Sequence, residues 1–148
     1  MPSNQPEQIR ALLNAVNTIA LVGASDKPNR PSHDVMVFLQ RQGYRVIPVN
    51  PRLAGQTLLG ETVYPDLTAI PEAVDMAELF LAPRFTDPVI DEAIRLGIGA
   101  LWLQIGVINE AGAARAEAQG LTVVMDHCPK QEIPRLGISP RKPANSIS

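Results

Sequence analysis

Cysteine is almost missing from this sequence: Cys128 stands alone among 148 residues. One thiol excludes an intramolecular disulfide and fits a reducing compartment. No Cys and His spacing resembles a metal site, so no metal is expected. Neither sign of charge dominates. Thirteen Lys and Arg face fifteen Asp and Glu, for a net charge of −2, and nothing in that balance favours nucleic acid. Long hydrophobic runs are missing too. The longest, residues 96–108, contains Gln104 and three glycines and is too short to span a bilayer. The first residues, Met-Pro-Ser-Asn-Gln-Pro-Glu, carry no basic stretch followed by an apolar one. No signal peptide and no membrane association are therefore expected, and a cytoplasmic location is. The three-glycine dinucleotide fingerprint does not occur, and no internal repeat or linker divides the chain.

What is present is an ordinary single domain's worth of material, 45% hydrophobic and 19% charged. The chain is organised around residues 18–32. Residues 18–22 (Thr-Ile-Ala-Leu-Val) are a short β-branched apolar run that suits a buried parallel strand. Gly23 ends it, and a loop of small, polar and basic residues follows. Ser32 then introduces a helix to about Gln42, stopped by Gly43. A helix precedes this unit at residues 6–16, with Ile9, Leu12, Leu13 and Val16 at helical spacing. Further strands are predicted at 44–49, 76–81, 100–103 and 121–125, with Pro48 marking an irregular or less demanding strand position. Helices are predicted at 86–96, capped by Thr86, and at 109–119, capped by Asn109 and stopped by Gly120. Residues 52–70 read as irregular, with a short strand near Thr62 and a helical turn near Leu67. A domain over residues 1–138 is expected, with a poorly ordered tail at 139–148. Strands alternating with helices predict a three-layer α/β fold, a mostly parallel sheet with helices on both faces.

In such a sheet, ligands bind beyond the carboxyl ends of the strands, near the point where strand order reverses. That rule selects residues 23–32, 50–52, 82–85 and 104–107, with Cys128 and its neighbours closing the same rim. Gly23 allows close backbone approach. Ser25 and Ser32 offer hydroxyls, and Lys27 and Arg30 supply charge beside a helix N-terminus suited to phosphate. At the end of the second strand, where NAD-binding folds place an acid for the ribose diol, this chain has Asn50, followed by Arg52. Between Gly23 and Arg52 five cations (Lys27, Arg30, Arg41, Arg45, Arg52) stand against Asp26 and Asp34. Arg41 and Arg45 read equally well as a solvated face.

Five stretches carry a resemblance. They are Val-Gly-Ala-Ser-Asp-Lys-Pro (22–28), Gly-Tyr-Arg-Val-Ile-Pro-Val-Asn-Pro (43–51), Leu-Leu-Gly-Glu-Thr-Val-Tyr-Pro-Asp-Leu (58–67), Trp-Leu-Gln-Ile-Gly-Val (102–107) and Val-Val-Met-Asp-His-Cys-Pro (123–129). In order, they resemble the small single-domain CoA-binding protein family, itself similar to the CoA-binding domain of the succinyl-CoA synthetase α subunit. The resemblance implies a Rossmann-like fold holding coenzyme A or acyl-CoA. It places Gly23, Ala24 and Ser25 along the phosphates with Lys27 and Ser32 nearby, and Asn50, Pro51 and Arg52 at the adenosine end. Phe80, Leu81, Ala82 and Pro83, with Gln104, Ile105, Gly106 and Val107, would edge the nucleotide and pantetheine path. The chain departs from the family pattern at Leu81 and His127, where arginines are common.

No catalytic constellation is expected. His33 reads as a first-turn helix residue, Cys128 as a packed turn residue before Pro129, and Trp102 as core. The leading expectation is a CoA or acyl-CoA binding protein without catalytic machinery, acting as a carrier or regulator. The alternatives are an NAD(P)-binding oxidoreductase and an accessory subunit of an acyl-CoA ligase or transferase. The expected partner is a small-molecule CoA ligand, with a homodimer or a partner enzyme left open.

Overall fold

The computed structural model describes residues 2–141. Along the chain run α1 (Pro6–Ala15), β1 (Thr18–Val22), α2 (Pro31–Arg41), β2 (Arg45–Val49), β3 (Thr57–Leu58), β4 (Glu61–Thr62), β5 (Met76–Leu79), a 3-10 turn (Pro83–Phe85), α3 (Thr86–Leu96), β6 (Ala100–Leu103), α4 (Glu110–Ala118), β7 (Thr122–Met125) and α5 (Pro129–Arg135). Five strands make one parallel sheet in the order β2-β1-β5-β6-β7, and β3 and β4 form a small antiparallel pair beside it. The order reverses between β1 and β5. β2 lies on one side of β1, and every later strand is added on the other.

Alternation along the strands builds two cores. Ile19 and Leu21 of β1, with Trp102 of β6 and Val124 of β7, pack under α1, α2 and α5. Ala20 and Val22, with Leu101, Leu103 and Val123, pack under α3 and α4. Trp102 is fully buried, as its reading as core requires, and its indole N–H donates to His127 O at 2.8 Å. Pro48 sits on the edge strand β2 in unbroken register with Leu21, so its missing N–H costs the sheet little.

Several expectations are corrected. Residues 129–135, for which no element was expected, form a helix: Pro129 opens α5, and Cys128, buried as its reading as a packed residue requires, occupies the capping position. Arg30, not Ser32, holds the capping position of α2, without a side-chain hydrogen bond to the helix, and Pro31 fills the first helical position. Phe85 takes the capping position of α3, and the Thr86 hydroxyl donates to Pro83 O instead. Asn109 does cap α4, accepting from the Gly112 N–H at 2.8 Å. β5 stops at Leu79, two residues earlier than expected. Within the expected poorly ordered tail, Arg141 is anchored. Its N–H donates to Gln42 O at 2.7 Å, its guanidinium reaches Asn14 O and Asn17 Oδ1, and it stacks 4.8 Å from the Tyr44 ring. Gly43 makes room for it: a Cβ there would lie 2.6 Å from Arg141 O. The rest of the expected tail, residues 142–148, lies outside the described residues. Among the described residues no helix is long and apolar enough to cross a membrane.

Candidate functional site

The carboxyl ends of β1 and β5 meet at Gly23. The Gly23 and Ala24 N–H groups donate to Val49 O, and the Phe80 N–H donates to Val22 O at 2.8 Å. This brings the loop after β1 against the end of β5. Gly23 has φ +90°, and a Cβ built on it would lie 2.2 Å from Phe80 O. Only glycine satisfies both the dihedral and the approach.

Above this junction opens a cleft of about 710 Å³. Its floor and one wall come from Gly23, Ala24, Ser25, Lys27, Arg30 and Ser32, its β2 end from Asn50 and Arg52, and its far wall from Phe80, Leu81, Gln104, Ile105 and Val107. The structure thus gathers most of the candidate residues around one space. Asp26, Pro31 and Leu53 also line it and were not singled out from sequence. Asp26 and Pro31 lay inside the loop already selected. Leu53 carried only its position after Arg52 as a signal.

Four candidates fall elsewhere. Pro51 lines an adjoining, more apolar cleft of about 560 Å³ on the α3 side, with Pro65, Leu67, Phe85 and Val89. That space shares Gly23, Asn50, Arg52 and Leu81 with the first. Ala82 and Pro83 lead into the 3-10 turn outside both clefts. Gly106 lines neither cleft, and its N–H donates to Asp126 Oδ1 at 2.8 Å. Asp126 adopts φ +65°, a left-handed conformation that Asp tolerates, and so ties the loop after β6 to the end of β7.

Two candidates carry structural work. Asn50 Nδ2 donates to Ala24 O at 2.7 Å, and Asn50 Oδ1 accepts from the Arg52 N–H at 2.8 Å. Its amide clamps the two loops of the cleft together. Ser25 Oγ accepts from the Lys27 N–H at 3.1 Å and leaves its own hydroxyl proton free to donate.

Electrostatics separate the cations sharply. Arg45 is bound to Glu61 and Glu72, and Lys130 of α5 to Asp34 in the first turn of α2. Lys27, Arg30 and Arg52 are exposed at the cleft, and among the described residues none of their side chains has an ion-pair or hydrogen-bond partner. They lie beside the N-terminus of α2, where Ser32 is buried and no side chain caps the open N–H groups. The arrangement suits an anion with several oxygens. The opposite wall, Phe80, Leu81, Ile105 and Val107, is apolar.

His127 Nδ1 lies 2.8 Å from Met125 O and does not line the cleft, and Cys128 is buried in the core under α5. Among the described residues no cluster of His, Cys, Asp and Glu could hold a metal.

Comparison with known proteins matches this geometry to relatives. Residues 17–134 match a family model described as a CoA binding domain. The uncharacterized protein YneT of Bacillus subtilis is 32% identical over 130 residues, covering 88% of this chain and 95% of that one. A hypothetical protein of known structure from Pyrococcus horikoshii superposes with a TM-score of 0.86 at 36% identity, covering 92% of this chain and 96% of that one. The ADP-forming acetate–CoA ligase II of Archaeoglobus fulgidus is 30% identical over 103 residues, 68% of this chain but 15% of the ligase. This chain therefore corresponds to a small part of the ligase and to nearly all of the other two. With a family model spanning every strand of the sheet and the rim of the cleft, the chain belongs to the CoA-binding domain family.

Proposed function

We propose that this protein binds CoA or acyl-CoA in the cleft at the switch point and performs no chemistry of its own, serving as a carrier or a CoA-responsive regulator in the cytoplasm. The observation that carries the reading is the pairing of three unpartnered cations, Lys27, Arg30 and Arg52, with the open N-terminus of α2. CoA presents a diphosphate and a 3′-phosphate on one end and a largely neutral pantetheine arm on the other. The basic loops suit the first, and the apolar wall of Phe80, Leu81, Ile105 and Val107 suits the second.

An NAD(P)-dependent oxidoreductase fits less well. The residue at the end of β2 is an amide, and both its polar atoms are engaged by the loops. A second reading, an accessory subunit of an acyl-CoA ligase, is supported by the similarity to part of acetate–CoA ligase II. Recovery of one stoichiometric ligase partner with the tagged protein would favour it.

A thermal-shift panel of CoA, acetyl-CoA, NAD, NADP and ATP tests the ligand. A ligand held by the native state alone at about 100 times its dissociation constant adds about 2.7 kcal/mol of stability. CoA species are expected to raise the melting temperature and the others to leave it unchanged. A shift with NADP and none with CoA would replace this reading by the dinucleotide one.

A further inference from the structure

Two polar side chains beside the cleft have buried atoms without partners. Both carboxyl oxygens of Glu78 lack a hydrogen bond, and so does Gln104 Oε1. Buried polar atoms are nearly always hydrogen-bonded, so two such groups near one another require an explanation. Their places in the sheet supply it. Glu78 stands in register between Leu21 of β1 and Trp102 of β6, both of which point into the core under α1, α2 and α5. Gln104 is the first residue past β6, and its N–H still donates to Leu79 O at 3.3 Å, so the alternation of the strand carries on to it and its side chain, two residues beyond Trp102, projects to the same side. It is the diagonal neighbour of Glu78, just past the end of the adjacent strand, a spacing that long side chains span. Gln104 also forms part of the cleft wall, with 9% of its surface exposed.

An amide oxygen can only accept, so Gln104 Oε1 needs a donor. A carboxyl donates only when it holds its proton. Burial raises the Glu78 pKa from 4.5 to about 8, and no charged neighbour contributes. The elements around it are apolar on the facing side: Ile9, Leu12 and Leu13 of α1, Val35, Met36 and Leu39 of α2, Ile133 of α5 and Val124 of β7. The polar exceptions in or beside this core are accounted for separately. Tyr44 donates its hydroxyl to Leu13 O, Glu132 is bound by Arg135, and Ser32 and the Cys128 thiol are buried nearby.

We propose that Glu78 is a positioning residue for the cleft: its carboxyl O–H donates to Gln104 Oε1 and fixes the amide with Nε2 turned into the cleft, where it donates to a carbonyl of the ligand's pantetheine arm. The ligand half of this inference rests on the CoA reading, whereas the link between Glu78 and Gln104 does not. The arm is the part addressed because Gln104 lies at the β6 end, among Phe80, Ile105 and Val107, away from Lys27, Arg30 and Arg52.

The test has two arms. In nitrogen-labelled, ligand-free protein, the Gln104 side-chain amide signals are followed by NMR as pH is raised through 8. They are expected to move with a midpoint near 8 in the wild type and to stay fixed in Glu78→Gln, which still donates but does not titrate. Signals that ignore pH, or a midpoint that persists in Glu78→Gln, would overturn the link. Calorimetry then compares CoA with its nucleotide end alone, 3′-phosphorylated ADP. Gln104→Leu and Glu78→Leu are expected to weaken CoA about tenfold and to leave the nucleotide unchanged, and Glu78→Gln to bind both as the wild type does. Equal loss of both ligands, or no loss of CoA in Gln104→Leu, would overturn the contact to the arm. A wild type that binds neither ligand contradicts the CoA reading and that contact together, while the NMR arm still decides the link.

Discussion

At Gly23 a single missing side chain lets β1, β2 and β5 converge. Alanine there would hold an unfavourable φ of +90° and press its Cβ to 2.2 Å from Phe80 O, backbone that cannot step aside. Gly23→Ala is expected to lose roughly 2–4 kcal/mol in urea unfolding, because strain and a close contact combine. A variant as stable as the wild type would show that the loop relaxes freely. Glu78 gives a second expectation at this scale. Its folded pKa, near 8, lies above the 4.5 of an ordinary Glu. Between those values the folded protein keeps a proton that the unfolded chain has released. Its contribution to stability is therefore full below about 4.5 and is lost as pH rises through about 8. Denaturation midpoints should fall across that window in the wild type and lose this slope in Glu78→Gln. These residues differ in how far the sequence reveals them. Gly23 was legible because a glycine after an apolar strand has one common purpose. The hydrogen bond that the Asn50 amide donates to Ala24 O was not, since it depends on Ala24 being folded against it from another loop.

At the scale of elements, periodicity served well where it was long. The strands at 18–22 and 100–103 and the helix at 86–96 appear with the bounds expected for them. α5 escaped because it spans seven residues, opens on Pro129 and carries Pro134 inside, a pattern that reads locally as a turn. Its formation rests on tertiary packing: Ile133 and Leu136 close the core under α1 and α2. Similarly, Arg141 is fixed by contacts with residues nearly a whole chain away, which no local pattern reports. The seam between α3 and α4 offers a test. Asn109 caps α4 through Gly112 and also donates to Thr86 Oγ1 and Asp87 Oδ1, each at 2.8 Å. That bond, followed by the one from Arg115, holds the Asp87 carboxyl below its ordinary pKa. Asn109→Ala is expected to cost about 1–2 kcal/mol, and Asp87 should titrate at higher pH in the variant by NMR. An unchanged Asp87 would show that Arg115 alone sets it.

For the whole molecule, a slightly acidic chain sets three cations, Lys27, Arg30 and Arg52, that have no side-chain partner among the described residues where the strand order reverses. Topology makes this possible. The loops after β1, β2, β5 and β6 come together only because the sheet runs β2-β1-β5-β6-β7. The four rim segments were legible from the alternation of strands and helices. Which residues within them line the cleft was not, and Gly106, Ala82 and Pro83 lie outside it. The positive charge at the cleft falls on Lys27, Arg30 and Arg52. The most direct measurement is calorimetric titration of CoA into the wild type and into the Lys27→Ala, Arg30→Ala double variant at low and high salt. We expect saturable one-site binding that weakens with salt and falls at least about tenfold in the double variant, whose circular dichroism stays unchanged. The absence of any binding heat from CoA at millimolar ligand, with the protein folded, would contradict the claim that this cleft holds CoA.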